Sequence, residues 1–73
     1  MAIVDVKAEV AGIVWKIAAA PGQEVGDEEP IVILEAMKME IPVFAPRPCK
    51  VVAILVSEQD VVEEGMVVAR IEI

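Results

Sequence analysis

The sequence predicts an all-β protein, a small sandwich or flattened barrel, and three observations lead there. Alternating and β-branched runs recur along all 73 residues, punctuated by Pro- and Gly-containing turns. No window sustains a helical period. The chain also matches itself, apolar position on apolar position without a gap, when slid by 37 residues. A chain this short implies one domain, residues 1–73, whose small core must be used efficiently. The 58% hydrophobic content suffices, but Trp15 and Phe44 are the only aromatics, so aliphatic side chains must fill that core.

The elements follow in order. Residues 3–8 and 12–17 read as the first two strands, and Pro21 and Gly22 then turn the chain into a short piece at 23–25. An acidic turn at 26–30 precedes a continuous apolar strand at 31–35. A strand at 40–44 contains Pro42, which cannot donate to a ladder and so marks an edge or a strand start. Pro46, Arg47 and Pro48 break the chain before a strand at 51–56. A short piece at 61–62, a turn at Glu63, Glu64 and Gly65, and a strand at 67–71 complete the series.

The 37-residue offset sets Ala8 on Ala45, Val14 on Val51, Ile17 on Ile54 and Val25 on Val62. It also sets Asp27 on Glu64, Ile31 on Val68 and Leu34 on Ile71. A Val-rich alternating chain also matches itself by accident, so the repeat is an expectation for the fold to test. Two copies of one hairpin-rich unit, neither able to cover its own apolar face, would pack with approximate two-fold symmetry. Residues 35–40, "EAMKME", then join the copies at a hairpin.

Charge narrows the function. Thirteen acids against six bases give −7, which argues against nucleic acid or an anionic membrane surface as partner and favours partners with basic patches. The longest apolar run, 51–56, falls far short of the roughly 18 residues a membrane helix needs, and no basic start with a long apolar region follows Met1. A soluble cytoplasmic protein is expected. With no histidine and Cys49 alone, neither an intrachain disulfide nor a Cys/His metal site can form, and the usual neutral-pH base is missing. Chemistry here must come from something attached, and a self-contained hydrolase cannot be drawn.

The hairpin is where attachment would occur. Ala36, Met37, Lys38 and Met39 include none of the Gly, Asn or Asp that two-residue turns favour, so turn chemistry alone does not choose them. Exposed methionines cost solubility and suit adaptable recognition surfaces. Small Ala36 would leave the tip accessible, and Met37 and Met39 would be read by a partner rather than tuck back onto the barrel. Glu35 and Glu40 either steer basic partners or are solvated edge charges; without a cleft they define no catalytic pair. Trp15 reads as core or a partly covered platform.

"EAMKMEIP" resembles the attachment motif of the biotinyl domain, the biotin carboxyl carrier module of biotin-dependent carboxylases. The resemblance extends over "GIVWKI" at 12–17, "PGQEV" at 21–25 and "EGMVV" at 64–68, essentially the whole chain. It implies the biotinyl/lipoyl hammerhead fold, a flattened β-barrel or sandwich of two small antiparallel sheets with a quasi-two-fold repeat. It implies covalent biotin on Lys38, added by a biotin protein ligase, with Glu35, Ala36, Met37 and Met39 forming the recognised tip. It further implies a non-catalytic carrier that moves a carboxyl group from a biotin carboxylase to a carboxyltransferase, as in an acyl-CoA carboxylase such as acetyl-CoA carboxylase. The related lipoyl domain usually shows Asp-Lys-Ala at the tip, so a lipoyl carrier of a 2-oxoacid dehydrogenase-type complex is the alternative. An unmodified interaction domain of the same fold is a third. Three positions depart from the family: Cys49, Glu28 and Gln59 stand where glycine is usual, and Cys49 falls on Gly12 in the repeat. A glycine there suggests a backbone conformation closed to other residues, with cysteine costing stability or the turn differing. Segment 18–22 is too short for the protruding thumb of some members.

Overall fold

A computed structural model describes residues 2–73. Eight strands follow one another: β1 (Ile3–Lys7), β2 (Gly12–Ile17), β3 (Glu24–Val25), β4 (Pro30–Ala36), β5 (Met39–Phe44), β6 (Cys49–Ile54), β7 (Val61–Val62) and β8 (Val67–Glu72). They form two antiparallel four-stranded sheets, ordered β1-β8-β6-β3 and β5-β4-β2-β7. The architecture is the all-β sandwich of two small sheets that the turn spacing and the resemblance imply.

Adding 37 to β2 or β3 lands on β6 or β7 residue for residue, and each sheet maps onto the other in order. Each half therefore contributes two strands to each sheet, so neither copy closes a core alone. The packing repeats as faithfully. Sixteen side chains among the described residues are buried, and they form eight pairs separated by 37 residues. Val6 pairs with Val43, Ala19 with Val56, Val32 with Ala69 and Leu34 with Ile71. No polar or charged side chain is buried among the described residues, so aliphatic burial holds the sheets together, at roughly 25 cal/mol per Å².

Irregularities recur too. Register shifts fall between Val14 and Lys16 against β4, and between Val51 and Ala53 against β8. The Gly22 amide donates to the Val51 carbonyl at 2.7 Å, and the Gln59 amide donates to the Val14 carbonyl at 2.7 Å. The bulge at Trp15 keeps both it and Lys16 on the outer surface; strict alternation would send one of them inward. Trp15 is 44% exposed, a partly covered platform and not a core residue.

Strand limits differ from the sequence reading mainly at β6. It begins at Cys49 rather than Val51 and ends at Ile54. The apolar run extends to Val56 because Val56 is still buried as the counterpart of Ala19, although the ladder has ended. Pro42 lies within β5, an edge strand.

The three unusual positions resolve differently. Gln59 has φ 76°, the left-handed conformation its counterpart Gly22 adopts at 89°. Glu28 does not share the positive φ of its counterpart Gly65, so that turn is built differently. At Cys49 the expectation of a closed conformation fails, since neither Cys49 nor Gly12 has a positive φ. What Gly12 supplies is space: a Cβ there would sit 2.6 Å from the Glu35 carbonyl oxygen and 3.3 Å from the Ala36 Cβ. The other half has room. An open cleft of about 580 Å³ beside Cys49, lined also by Glu24, Pro48, Glu72 and Ile73, accommodates a side chain.

Candidate functional site

The site is built by the β4–β5 hairpin. The two strands pair up to Ala36 and Met39, leaving Met37 and Lys38 as a two-residue turn. Both central residues have positive φ, 52° and 63°. That is the type I′ signature, whose right-handed twist continues the ladder and which normally selects Asn or Gly. Holding two β-substituted residues there costs on the order of 1 kcal/mol each. The cost is local and no packing gain offsets it: Met37 is 93% exposed and Met39 63%. Strain retained at an exposed tip marks these side chains as kept for a purpose outside the fold.

Lys38 projects from this turn into solvent. Its ammonium makes no hydrogen bond or ion pair among the described residues, the only ion pair being Asp5 with Arg70 at 3.1 Å. Glu35 and Glu40 face each other across β4 and β5, both exposed, and neither is neutralised. Below the turn, half-buried Ala36 packs towards Gly12. Bringing β2 this close to the last residues of β4 makes the hairpin base rigid while its tip stays accessible.

All five tip residues singled out from the sequence thus lie together: Glu35, Ala36, Met37, Lys38 and Met39. Reasoning from the motif missed Gly12, which supports the hairpin from the neighbouring strand. The larger cleft, about 600 Å³, lies between β1 and β5, lined by Val4, Val6, Val10, Ile41, Val43 and Phe44, and does not include Lys38. Burial pushes the Cys49 thiol above its ordinary range, the opposite of an activated thiolate. No group of three metal-ligating side chains gathers among the described residues. The arrangement presents a primary amine on a support of paired strands.

Comparison with known proteins gives the same outline. Residues 4–71 match the family described as "Biotin-requiring enzyme". The chain is 39% identical over 67 residues to a biotinylated protein TB7.3 homolog of Mycobacterium leprae, covering 92% of this chain and 94% of that one. It is 36% identical over 66 residues to a biotin/lipoyl attachment protein of Bacillus subtilis, covering 90% of each. Among solved structures, the urea carboxylase of Kluyveromyces lactis superposes with a TM-score of 0.91 at 38% identity, over 99% of this chain and 6% of that enzyme.

Proposed function

This chain belongs to the biotin/lipoyl attachment family as a biotinyl domain, and from that premise we propose that Lys38 is the residue that carries its biotin. The observation that carries the reading is the strained, solvent-projecting Met37-Lys38 turn at the junction of the two repeats. To become modified, the Lys38 amine in its neutral form attacks the carbonyl of an activated biotin carboxyl group. The carbon–nitrogen bond forms, the activating group leaves with its electron pair, and the excess proton goes to a base supplied by the ligase. The amide is neutral, so the domain's formal charge falls one unit below −7. Attached biotin supplies a ureido nitrogen that takes up and releases a carboxyl group.

The chain's own residues hold the tether. The β4–β5 ladder and the close packing of Gly12 fix where the arm begins, and the arm then raises the effective concentration of its end at every site it reaches. The domain is a non-catalytic carrier in this reading. It serves a biotin carboxylase and a carboxyltransferase of an acyl-CoA carboxylase or related enzyme, and its compartment is the cytoplasm. The solved urea carboxylase, of which this chain matches only a small part, supports a carboxylase as the kind of partner.

Incubation with biotin, ATP and a biotin protein ligase should add one biotin mass to the wild-type chain and none to Lys38→Arg. A second mass increment, modification of the arginine variant, or a lipoyl increment on protein from its native cell would overturn the assignment. The Met-Lys-Met tip favours biotin over the lipoyl alternative, and intact mass separates the two directly.

A further inference from the structure

We propose that Met37 and Met39 form a reversible oxidation site, where a peroxide converts the two thioethers beside Lys38 to sulfoxides and so hinders loading of the lysine. The inference rests on Lys38 being the acceptor and adds a chemical control over that site.

The fold makes no use of either sulfur. Met37 is 93% exposed and Met39 63%, and neither belongs to the core or to the partly buried side chains packed against it. The 37-residue repeat does not ask for methionine either, since Met39 stands where the other half has Ala2. Methionine sulfur is sheltered elsewhere by core packing or by an aromatic ring. Here Met39 pairs across the ladder with Ala36, which is too small to cover a thioether. Phe44 lies at the opposite end of β5, paired with Pro30, and Trp15 stands at the bulge opposite Leu34 and Ile33, below the turn. Met66, 42% exposed in the turn before β8, is the internal comparison; Met1 lies outside the described residues.

The chemistry asks little of the protein. A sulfur lone pair attacks one peroxide oxygen; the S–O bond forms and the O–O bond breaks. The departing hydroxide takes the proton of the transferred oxygen and leaves as water, so the thioether is oxidised and the peroxide reduced. No side-chain base takes part, which suits a chain without histidine. Glu35 and Glu40 flank the tip and the chain carries −7, so uncharged hydrogen peroxide reaches the sulfurs more readily than an anionic oxidant. The competing sulfur is Cys49, half-buried, and burial holds its thiol protonated and slow to react.

Oxidation of a buried methionine places a polar group in a core and damages the fold. At this tip it leaves the core untouched and changes what a partner meets. A thioether is apolar and adaptable, whereas a sulfoxide is polar and must give up water when covered. Before modification the amine is one lysine side chain away from the turn, so an enzyme that takes it comes against Met37 and Met39. The level of peroxide thereby sets the fraction of chains open to loading, and sulfoxide reductases reset it.

The test adds hydrogen peroxide to the unmodified chain, then dithiothreitol to reverse sulfenate or disulfide at Cys49. Peptide mass mapping should find an added oxygen on Met37 and on Met39 well before Met66. Oxidation of Met66 at the same rate would overturn the tip as the preferred site. The oxidised chain should keep its unfolding midpoint. Its kcat/KM with a biotin ligase that modifies the untreated chain should fall about fivefold or more, mainly through KM. In Met37→Leu with Met39→Leu, measured against its own untreated form, peroxide should change the rate by less than about twofold. Methionine sulfoxide reductases for both epimers, with a dithiol reductant, should restore the wild-type rate, a recovery that a misfolded chain would not show. Equal rates for oxidised and untreated wild type would overturn the control while leaving Lys38 as the acceptor. Failure of the untreated chain to take biotin at Lys38 would overturn the reading on which it rests.

Discussion

The two ends of this molecule follow the same 37-residue plan and put it to different uses. At one end β4 passes through Met37 and Lys38 into β5, with both turn residues left-handed and exposed. At the equivalent position of the other half, Ala2 and Ile73 exchange backbone hydrogen bonds of 3.0 Å, standing where Met39 and Ala36 stand in the hairpin. The buried residues hardly distinguish the halves, since every core residue has its counterpart in the core. The differences lie where the core exerts no demand: in the turn, in Gly12 against Cys49, and on the two outer faces. Repetition sets the scaffold, and the departures from it gather at the hairpin, at the strand that supports it and on the surface.

That comparison can be broken by experiment, beginning with its strongest claim. Leu34→Ala and Ile71→Ala each empty a fully buried site at matching positions, and each should cost about 2–5 kcal/mol in urea unfolding. Values differing by more than about 2 kcal/mol would show that the two halves do not share one core equally. Gly12→Val should cost about 1–3 kcal/mol, because its Cβ meets the Glu35 carbonyl, and it should slow biotinylation by displacing the hairpin base. Cys49→Val, at the roomy counterpart, should change stability by less than about 1 kcal/mol. A reversed order would refute the account of Gly12. A smaller gain is expected from Gln59→Gly, about 0.5–1 kcal/mol, as it relieves a left-handed residue where the other half already has glycine. Gly22→Gln should lose a similar amount in the same assay. Smallest is Asp5→Ala, which removes an exposed ion pair and should cost about 0.5 kcal/mol or less, vanishing at high salt.

Much of this was legible in the chain itself. The offset of 37 works because the buried positions of both copies had to stay apolar and similar in size, so the core repeats in the letters. The tip was legible for the opposite reason, since Met37 and Lys38 contradict what a type I′ turn prefers. Gly12 was misread because sequence does not distinguish a glycine needed for its φ from one needed for its missing side chain. The surface of Trp15 and Lys16 was hidden by the bulge between them, which breaks the alternation used to sort inside from outside. On the outer faces the offset of 37 sets exposed Ile13 on Lys50 and exposed Val61 on Glu24, so the letters diverge where the core makes no demand.

The hydrogen bonds between Ala2 and Ile73 bear on leverage. β1 runs away from that pair, and the chain after it delivers Gly12 against the hairpin base, so Ala2 and Ile73 lie at the pole remote from Lys38. The body measures 35 Å in its longest dimension. Any neighbour joined at Ala2 or Ile73 would grip the handle of a stiff oar, and the stroke of the lysine would be lengthened by the blade as well as by any flexible cord.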